Sequence, residues 1–194
     1  MAVSVIAFSN AALFDRLKFN AFFIKNSREW YRSLTYGLIH ADWMHLIINM
    51  YVLYSFGSVV EYFFGFLFAE KANFYFVLMY VSALAVSVLP DLRKHKDNPY
   101  YNAVGASGAV SAIVFASILF FPIGEIYLFF IPVGIPAFIF GVIYLGYSIY
   151  MAKRQRDNIG HMAHFTGAVF GFLFPILFKP DLIYLFVNQI VGYF

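Results

Sequence analysis

Long uncharged stretches separated by short charged clusters set the pattern of this chain. The stretches cover residues 43–60, 72–90, 98–124, 126–152 and 158–178, which is 18, 19, 27, 27 and 21 residues. A helix needs about 20 mostly apolar residues to cross a bilayer. The pattern therefore predicts five spans, read as about 41–61, 72–89, 105–121, 126–151 and 159–178. Asp42 is placed to cap the first of these and Pro90 and Pro122 to end the next two. Pro132, Gly134 and Pro136 should loosen the first half of the span read as 126–151. A short helix over about 1–14 precedes them, only about 21 Å long at 1.5 Å per residue. The six helices make an all-α fold, a polytopic membrane helical bundle within one domain, 1–194. Segment 15–39 mixes Phe22, Phe23, Ile24, Trp30 and Tyr31 with Lys and Arg, as a membrane-associated loop does. The tail 181–194 is apolar but too short to cross, and reads as interfacial.

Composition agrees. The chain is 62% hydrophobic and 12% charged, about half the charged fraction of a soluble domain. There is no cysteine, which removes disulfides and thiol chemistry. A net charge of +3 is too small and too dispersed for a nucleic-acid partner. The lipid bilayer is the implied surrounding.

The polar residues inside the spans carry the chemistry. Alternate spans run the same way, so the second, fourth and sixth helices start at one membrane face. Near those three starts lie His40, His45 and Asn49; then Ser107 and Ser111; then His161 and His164. Polar groups at that depth are costly and face a bundle interior or a water-filled cavity. The chain has no HExxH helix, and none of its ten carboxylates lies mid-span, so metalloprotease and aspartyl arrangements are not encoded. A hydroxyl and an imidazole are what is left. Ser107 sits in Gly105-Ala106-Ser107-Gly108, at a helix start whose dipole favours a developing anion. Serine beside glycine is also common in ordinary membrane helix packing. Two small-residue stripes, Gly108/Ala112/Ala116 and Ala163/Gly167/Gly171, would let the fourth and sixth helices approach closely. That approach would bring Ser107 within reach of His164 as its base. His45 and Asn49, four apart, share a face and can donate hydrogen bonds; they could equally clamp two helices together.

These clusters resemble the rhomboid family of intramembrane serine proteases, in its bacterial form, over about residues 28–175. The motifs are His40-x4-His45-x3-Asn49, Gly105-x-Ser107-Gly108, and Ala163-His164-x2-Gly167-x3-Gly171, with Arg32 and Glu61 at matching places. The resemblance implies a six-helix core and a Ser107–His164 catalytic dyad. It also implies an oxyanion hole of His45, Asn49 and the Ser107 N–H, with His40, Gly105, Gly108, His161 and Gly167 in support. It implies transmembrane protein substrates, neither cofactor nor metal, a mobile fifth span as side gate, and the bacterial inner (plasma) membrane.

The chain departs from the family at three places. Ser111 stands where members often carry an aromatic residue stacked on the base, the first loop reads Tyr31-Arg32, and the first span is short. Eleven of the thirteen basic residues lie in the connections on the active-site side, which the positive-inside rule would place in the cytoplasm. The family places that side outside, and that orientation is taken as the expectation. Two other readings fit parts of the pattern. One is an inactive rhomboid-like binder of membrane helices, although serine and histidine are both kept. The other is a metal-binding protein using His40, His45, His161 and His164, against which the lack of carboxylate and cysteine ligands counts.

Overall fold

Asp42 starts the longest helix of the chain. Its side chain accepts from the His45 backbone N–H at 2.8 Å, satisfying one of the orphan donors of a helix start. The computed structural model describes residues 1–127, 132–154 and 159–194, and the helices are α1 (Ala2–Phe8), α2 (Ala11–Leu17), α3 (Ala21–Ser27), α4 (Arg32–Thr35), α5 (Trp43–Phe68), α6 (Ala72–Ser87), α7 (Leu89–Lys94), α8 (Ser107–Phe120), α9 (Ala137–Arg154), α10 (His161–Phe178) and α11 (Leu182–Val191). Between α8 and α9 lies one antiparallel pair, β1 (Glu125–Ile126) and β2 (Ile135–Pro136), with Ile126 opposite Ile135. The protein is a membrane helical bundle, as expected.

Helix α8 is its axis. Every residue from Gly108 to Phe120 is buried. At 14 residues it is about 21 Å long, too short for a hydrocarbon core of about 30 Å. It need not span alone, because α5, α6, α9 and α10 pack around it and take the lipid contact. By length and composition, the helical stretch 43–94 and helix α10 are the described helices able to cross a membrane. Large apolar side chains face outward from α5, α6 and α9, among them Ile47, Phe66, Phe74, Val77, Val142 and Ile143. A surface so apolar needs lipid against it.

Four details differ from the sequence reading. The first helix breaks at Asn10, whose side chain accepts from Leu13 N–H at 2.9 Å and so starts a second helix rather than continuing the first. Helix α5 runs on to Phe68, so Glu61 lies inside it instead of closing it. Pro90 opens the short helix α7, a position where the missing N–H costs nothing. The span read as 126–151 begins only at Ala137. Pro136 and Gly134 belong to the β-pair stretch rather than to a loosened helix, and Ala137 and Phe138 N–H bond back to the Gly124 and Pro122 carbonyls at 2.8 and 2.9 Å. Residues 128–131 of that reading, and residues 155–158 of the connection that follows it, Arg156 and Asp157 included, lie outside the described residues.

The segment 15–39 folds into α3, α4 and a 3-10 turn and is fastened to the bundle. Buried Arg32 pairs with Glu29 and donates to the carbonyls of Asp15 and Lys18 at 2.7 and 2.9 Å. Phe19 and Ala103 exchange backbone hydrogen bonds, Tyr36 O–H donates to Leu84 O at 2.9 Å, and Gly105 N–H donates to Tyr36 O at 2.9 Å. The loop thereby fixes the backbone that leads into Ser107. The tail forms α11, with only Leu182 buried among its residues, and Gln189 reaching the Phe120 carbonyl at 3.3 Å.

Candidate active site

Ser107 is the first residue of α8, and His164 lies in the first turn of α10. Their side chains meet: His164 Nε2 is 2.7 Å from Ser107 Oγ, across 57 residues of chain. The two small stripes bring this about. A Cβ built on Gly167 would run into the backbone of Gly108, and one on Gly171 into the backbone of Ala112. The helices touch backbone to backbone, which only glycine permits. Gly108 also has no room to spare, lying against Ser87 and the Ala163 carbonyl.

Gly105 is glycine for two reasons. Its φ is +102°, and the His45 ring fills the space a side chain would take, with Nε2 2.7 Å from the ideal Cβ position. The Ala41 N–H donates to His45 Nδ1 at 3.4 Å. In the neutral ring the proton then belongs on Nε2, the nitrogen beside Gly105. Asn49, one turn on and buried, donates one amide hydrogen to the His45 carbonyl at 2.8 Å. That leaves its second N–H for another acceptor. The first hydrogen bond within α8 runs from Val110 N–H to Ala106 O, so the N–H groups of Ser107, Gly108 and Ala109 lie ahead of the helix ladder.

His40 is buried beneath His45, the rings 5.0 Å apart and nearly perpendicular. Ser4 of α1 gives its single hydroxyl proton to Leu38 O at 2.8 Å, so its 2.9 Å contact with His40 Nδ1 has the imidazole as donor. Burial, with the neighbouring His45 ring second, pushes His40 down to about 4 and keeps it neutral. The sequence reading missed Ser4, a buried serine in an apolar first helix. His161 is buried with its ring edge-on to Tyr147, at 5.7 Å, and 6.1 Å from the His164 ring. Among the described residues no three His, Asp or Glu side chains converge as a metal-ligand group.

The place left open by Ser111 is taken from elsewhere in the chain. Tyr144 of α9 brings its hydroxyl to 2.6 Å from Ser111 Oγ and its ring to 6.5 Å from the His164 ring, the planes 26° apart. A buried hydroxyl in a central helix is a sign that some polar partner exists, but nothing in the sequence says which residue, 33 positions away, supplies it.

The Rhomboid domain family model matches residues 27–180. The chain is 31% identical over 144 residues to RHOMBOID-like protein 12, mitochondrial, of Arabidopsis thaliana, covering 70% of this chain and 42% of that protein. It is 30% identical over 142 residues to Rhomboid protease GluP of Bacillus subtilis (strain 168), covering 73% and 25%. Rhomboid-like protein 11, chloroplastic, of Arabidopsis thaliana is 30% identical over 164 residues, covering 75% and 51%. The chain thus spans between a quarter and about half of the length of these curated relatives. With the family model covering most of its length and its motifs, the chain belongs to the rhomboid family of membrane-embedded proteins, a family of intramembrane proteases.

Proposed function

We propose that this protein is an intramembrane serine endopeptidase that cuts transmembrane segments of other membrane proteins with a Ser107–His164 dyad. The observation that carries the reading is the 2.7 Å hydrogen bond between Ser107 Oγ and His164 Nε2 at the start of a helix buried from Gly108 to Phe120. His164 takes the serine proton as Oγ attacks the scissile carbonyl, then returns it to the leaving amine. The resulting acyl-enzyme is hydrolysed by water activated by the same imidazole. His45 Nε2–H, the second Asn49 N–H and the Ser107 N–H receive the oxyanion, and the helix start adds its dipole. Residues 1–194 act as one membrane domain, with 15–39 as a membrane-associated loop and 181–194 at the interface. A bacterial plasma membrane fits the Bacillus relative; the mitochondrial and chloroplastic names of the two plant relatives make organelle membranes the alternative setting. The test is incubation of the purified protein in lipid vesicles with a model single-span substrate. Cleavage that resists chelators and is abolished by Ser107→Ala is expected; cleavage by a pure Ser107→Ala preparation overturns the reading.

Asn49 should behave as an oxyanion donor. Asn49→Ala is expected to lower kcat by about 10²-fold, the usual cost of one such donor, with little change in KM. Steady-state kinetics on the folded fraction check this. An unchanged kcat together with a large loss of thermal stability would make Asn49 a helix clamp instead.

A substrate helix must arrive from the side, because its backbone can unfold only inside a water-filled protein cavity. Helix α9 is the moving part in this reading. Phe138 at its start meets Tyr193 and Phe194 of the tail, with ring centroids 6.0 and 6.2 Å away. Trimming that contact should free the helix start. Phe138→Ala is expected to raise cleavage of transmembrane substrates a few-fold and to lower the thermal midpoint by a few degrees. Slower cleavage by Phe138→Ala counts against α9 as the gate.

A further inference from the structure

Tyr144 touches both helices of the dyad from a third. The hydroxyl of Ser111 has one hydrogen, and it goes to the Ser107 carbonyl at 2.8 Å. The 2.6 Å contact between Ser111 Oγ and Tyr144 is therefore a bond that the tyrosine donates. Its hydroxyl is fastened to α8 one turn past the nucleophile. Its ring is held by Phe115 of α8 at 5.6 Å and by Phe140 of α9 at 5.7 Å. So fixed, the ring lies 6.5 Å from the imidazole of His164 and 26° from parallel, within the range of an offset aromatic stack.

We propose that Tyr144 is a positioning residue for His164: its ring walls one face of the imidazole, helps hold Nε2 toward Ser107, and does so only while α9 is seated on α8. This rests on the Ser107–His164 reading. The physical case is steric and conformational. His164 Nε2 reaches Ser107 Oγ from a different helix, and an imidazole has a broad second torsion. Something must narrow that torsion if the 2.7 Å bond is to persist, and a rigid ring lying nearly parallel to the imidazole does so. Displacement of about 1 Å at such a bond costs up to about 10²-fold in rate. The tyrosine hydroxyl sets where the ring lies, but the ring acts on the base. Because Tyr144 belongs to α9, the same contact links the competence of the base to the position of that helix. A dyad with the Tyr144 turn of α9 displaced would hold a poorly aimed imidazole, whereas loosening the helix start at Phe138, six residues earlier, leaves that turn seated.

The experiment compares Tyr144→Leu, Tyr144→Phe and Ser111→Ala with wild type in lipid vesicles, reading kcat, KM and the rate at which a fluorophosphonate labels Ser107. Labelling needs the activated serine but no docked substrate helix, so it separates aim of the base from substrate entry. Tyr144→Leu removes the ring and is expected to lower kcat and the labelling rate together by about 10- to 100-fold, with KM within about twofold. Tyr144→Phe keeps the ring and loses the hydrogen bond. It should lose less than about fivefold, and Ser111→Ala, which deletes the same bond from the other side, should match it. Tyr144→Met replaces the leucine variant if the latter does not fold, since it is equally ringless. Labelling of the ringless variant at the wild-type rate overturns the proposal, as do equal losses for the ringless and phenylalanine variants or a loss confined to KM. Labelling that persists in Ser107→Ala overturns both this inference and the dyad beneath it, whereas normal labelling in wild type and Tyr144→Leu, absent in Ser107→Ala, overturns this one alone.

Discussion

Ser107→Ala, His164→Ala and the double variant are expected to lose cleavage to one common floor, about 10⁴–10⁶-fold below wild type. Nucleophile and base act as a unit: a serine hydroxyl without a base is a poor nucleophile, and a base without the hydroxyl has nothing to activate. Once either is gone, removing the other costs nothing further. Additive losses would mean that the 2.7 Å contact is not the catalytic one. Both single variants should fold, for different reasons. Ser107→Ala removes one oxygen at a helix start. His164→Ala leaves a space at the rim of the site, while the stripe formed by Ala163, Gly167 and Gly171 stays intact. Thermal midpoints within a few degrees of wild type, with gel-based cleavage at the background level for all three, is the expected pattern. Robust activity in His164→Ala at neutral pH would point to a different base.

Much of this site could be read from the chain because its parts are local. Ser107 lies between Ala106 and Gly108 and His164 follows Ala163, each near the start of an apolar stretch, and the His45–Asn49 spacing is one helical turn. The stripe of Gly167 and Gly171 advertises close packing, and the structure uses it against Gly108 and Ala112 as anticipated. What could not be read depends on contacts between distant elements. Ser111 can satisfy its own proton on the Ser107 carbonyl one turn back, so nothing in the chain points to its second partner Tyr144, one of 15 tyrosines that no periodicity singles out. Ser4 is likewise invisible until α1 folds back onto His40. The boundary errors have another cause. Charge-free length cannot distinguish a helix from a strand pair or a loop that also avoids charge, so the stretch after Glu125 reads as one span although helix begins at Ala137. Asn10 and Pro90 both start helices in the structure, where the apolar runs alone predict one that continues and one that simply stops.

Gly167→Ala is expected to cost both stability and the dyad, through a single methyl group. Alanine is the better helix former by about 1 kcal/mol, so on an open helix face the change should stabilise. At position 167 it has nowhere to go. The added Cβ would overlap the Gly108 carbonyl group and Cα, which belong to backbone and cannot swing aside as a side-chain tip can. The helices α8 and α10 must then separate or slide, at about 1–3 kcal/mol for overpacking. His164 lies three residues before Gly167 on the same helix, so the displacement passes directly to its ring. A shift of about 1 Å is enough to stretch the Ser107–His164 bond beyond hydrogen-bonding range and to lower kcat by about 10²-fold. Gly171→Ala meets the Ala112 backbone in the same way but lies one turn farther from the base. It should lose comparable stability and less activity. Gly65→Ala on α5 is the control, because no neighbour lies within 4 Å of the position its Cβ would take. It should retain full activity with an unchanged or raised thermal midpoint. Thermal unfolding and cleavage rates of the three variants, measured in the same vesicles, check the order. If Gly167→Ala cleaves at the wild-type rate, backbone contact between α8 and α10 is not what aims the base.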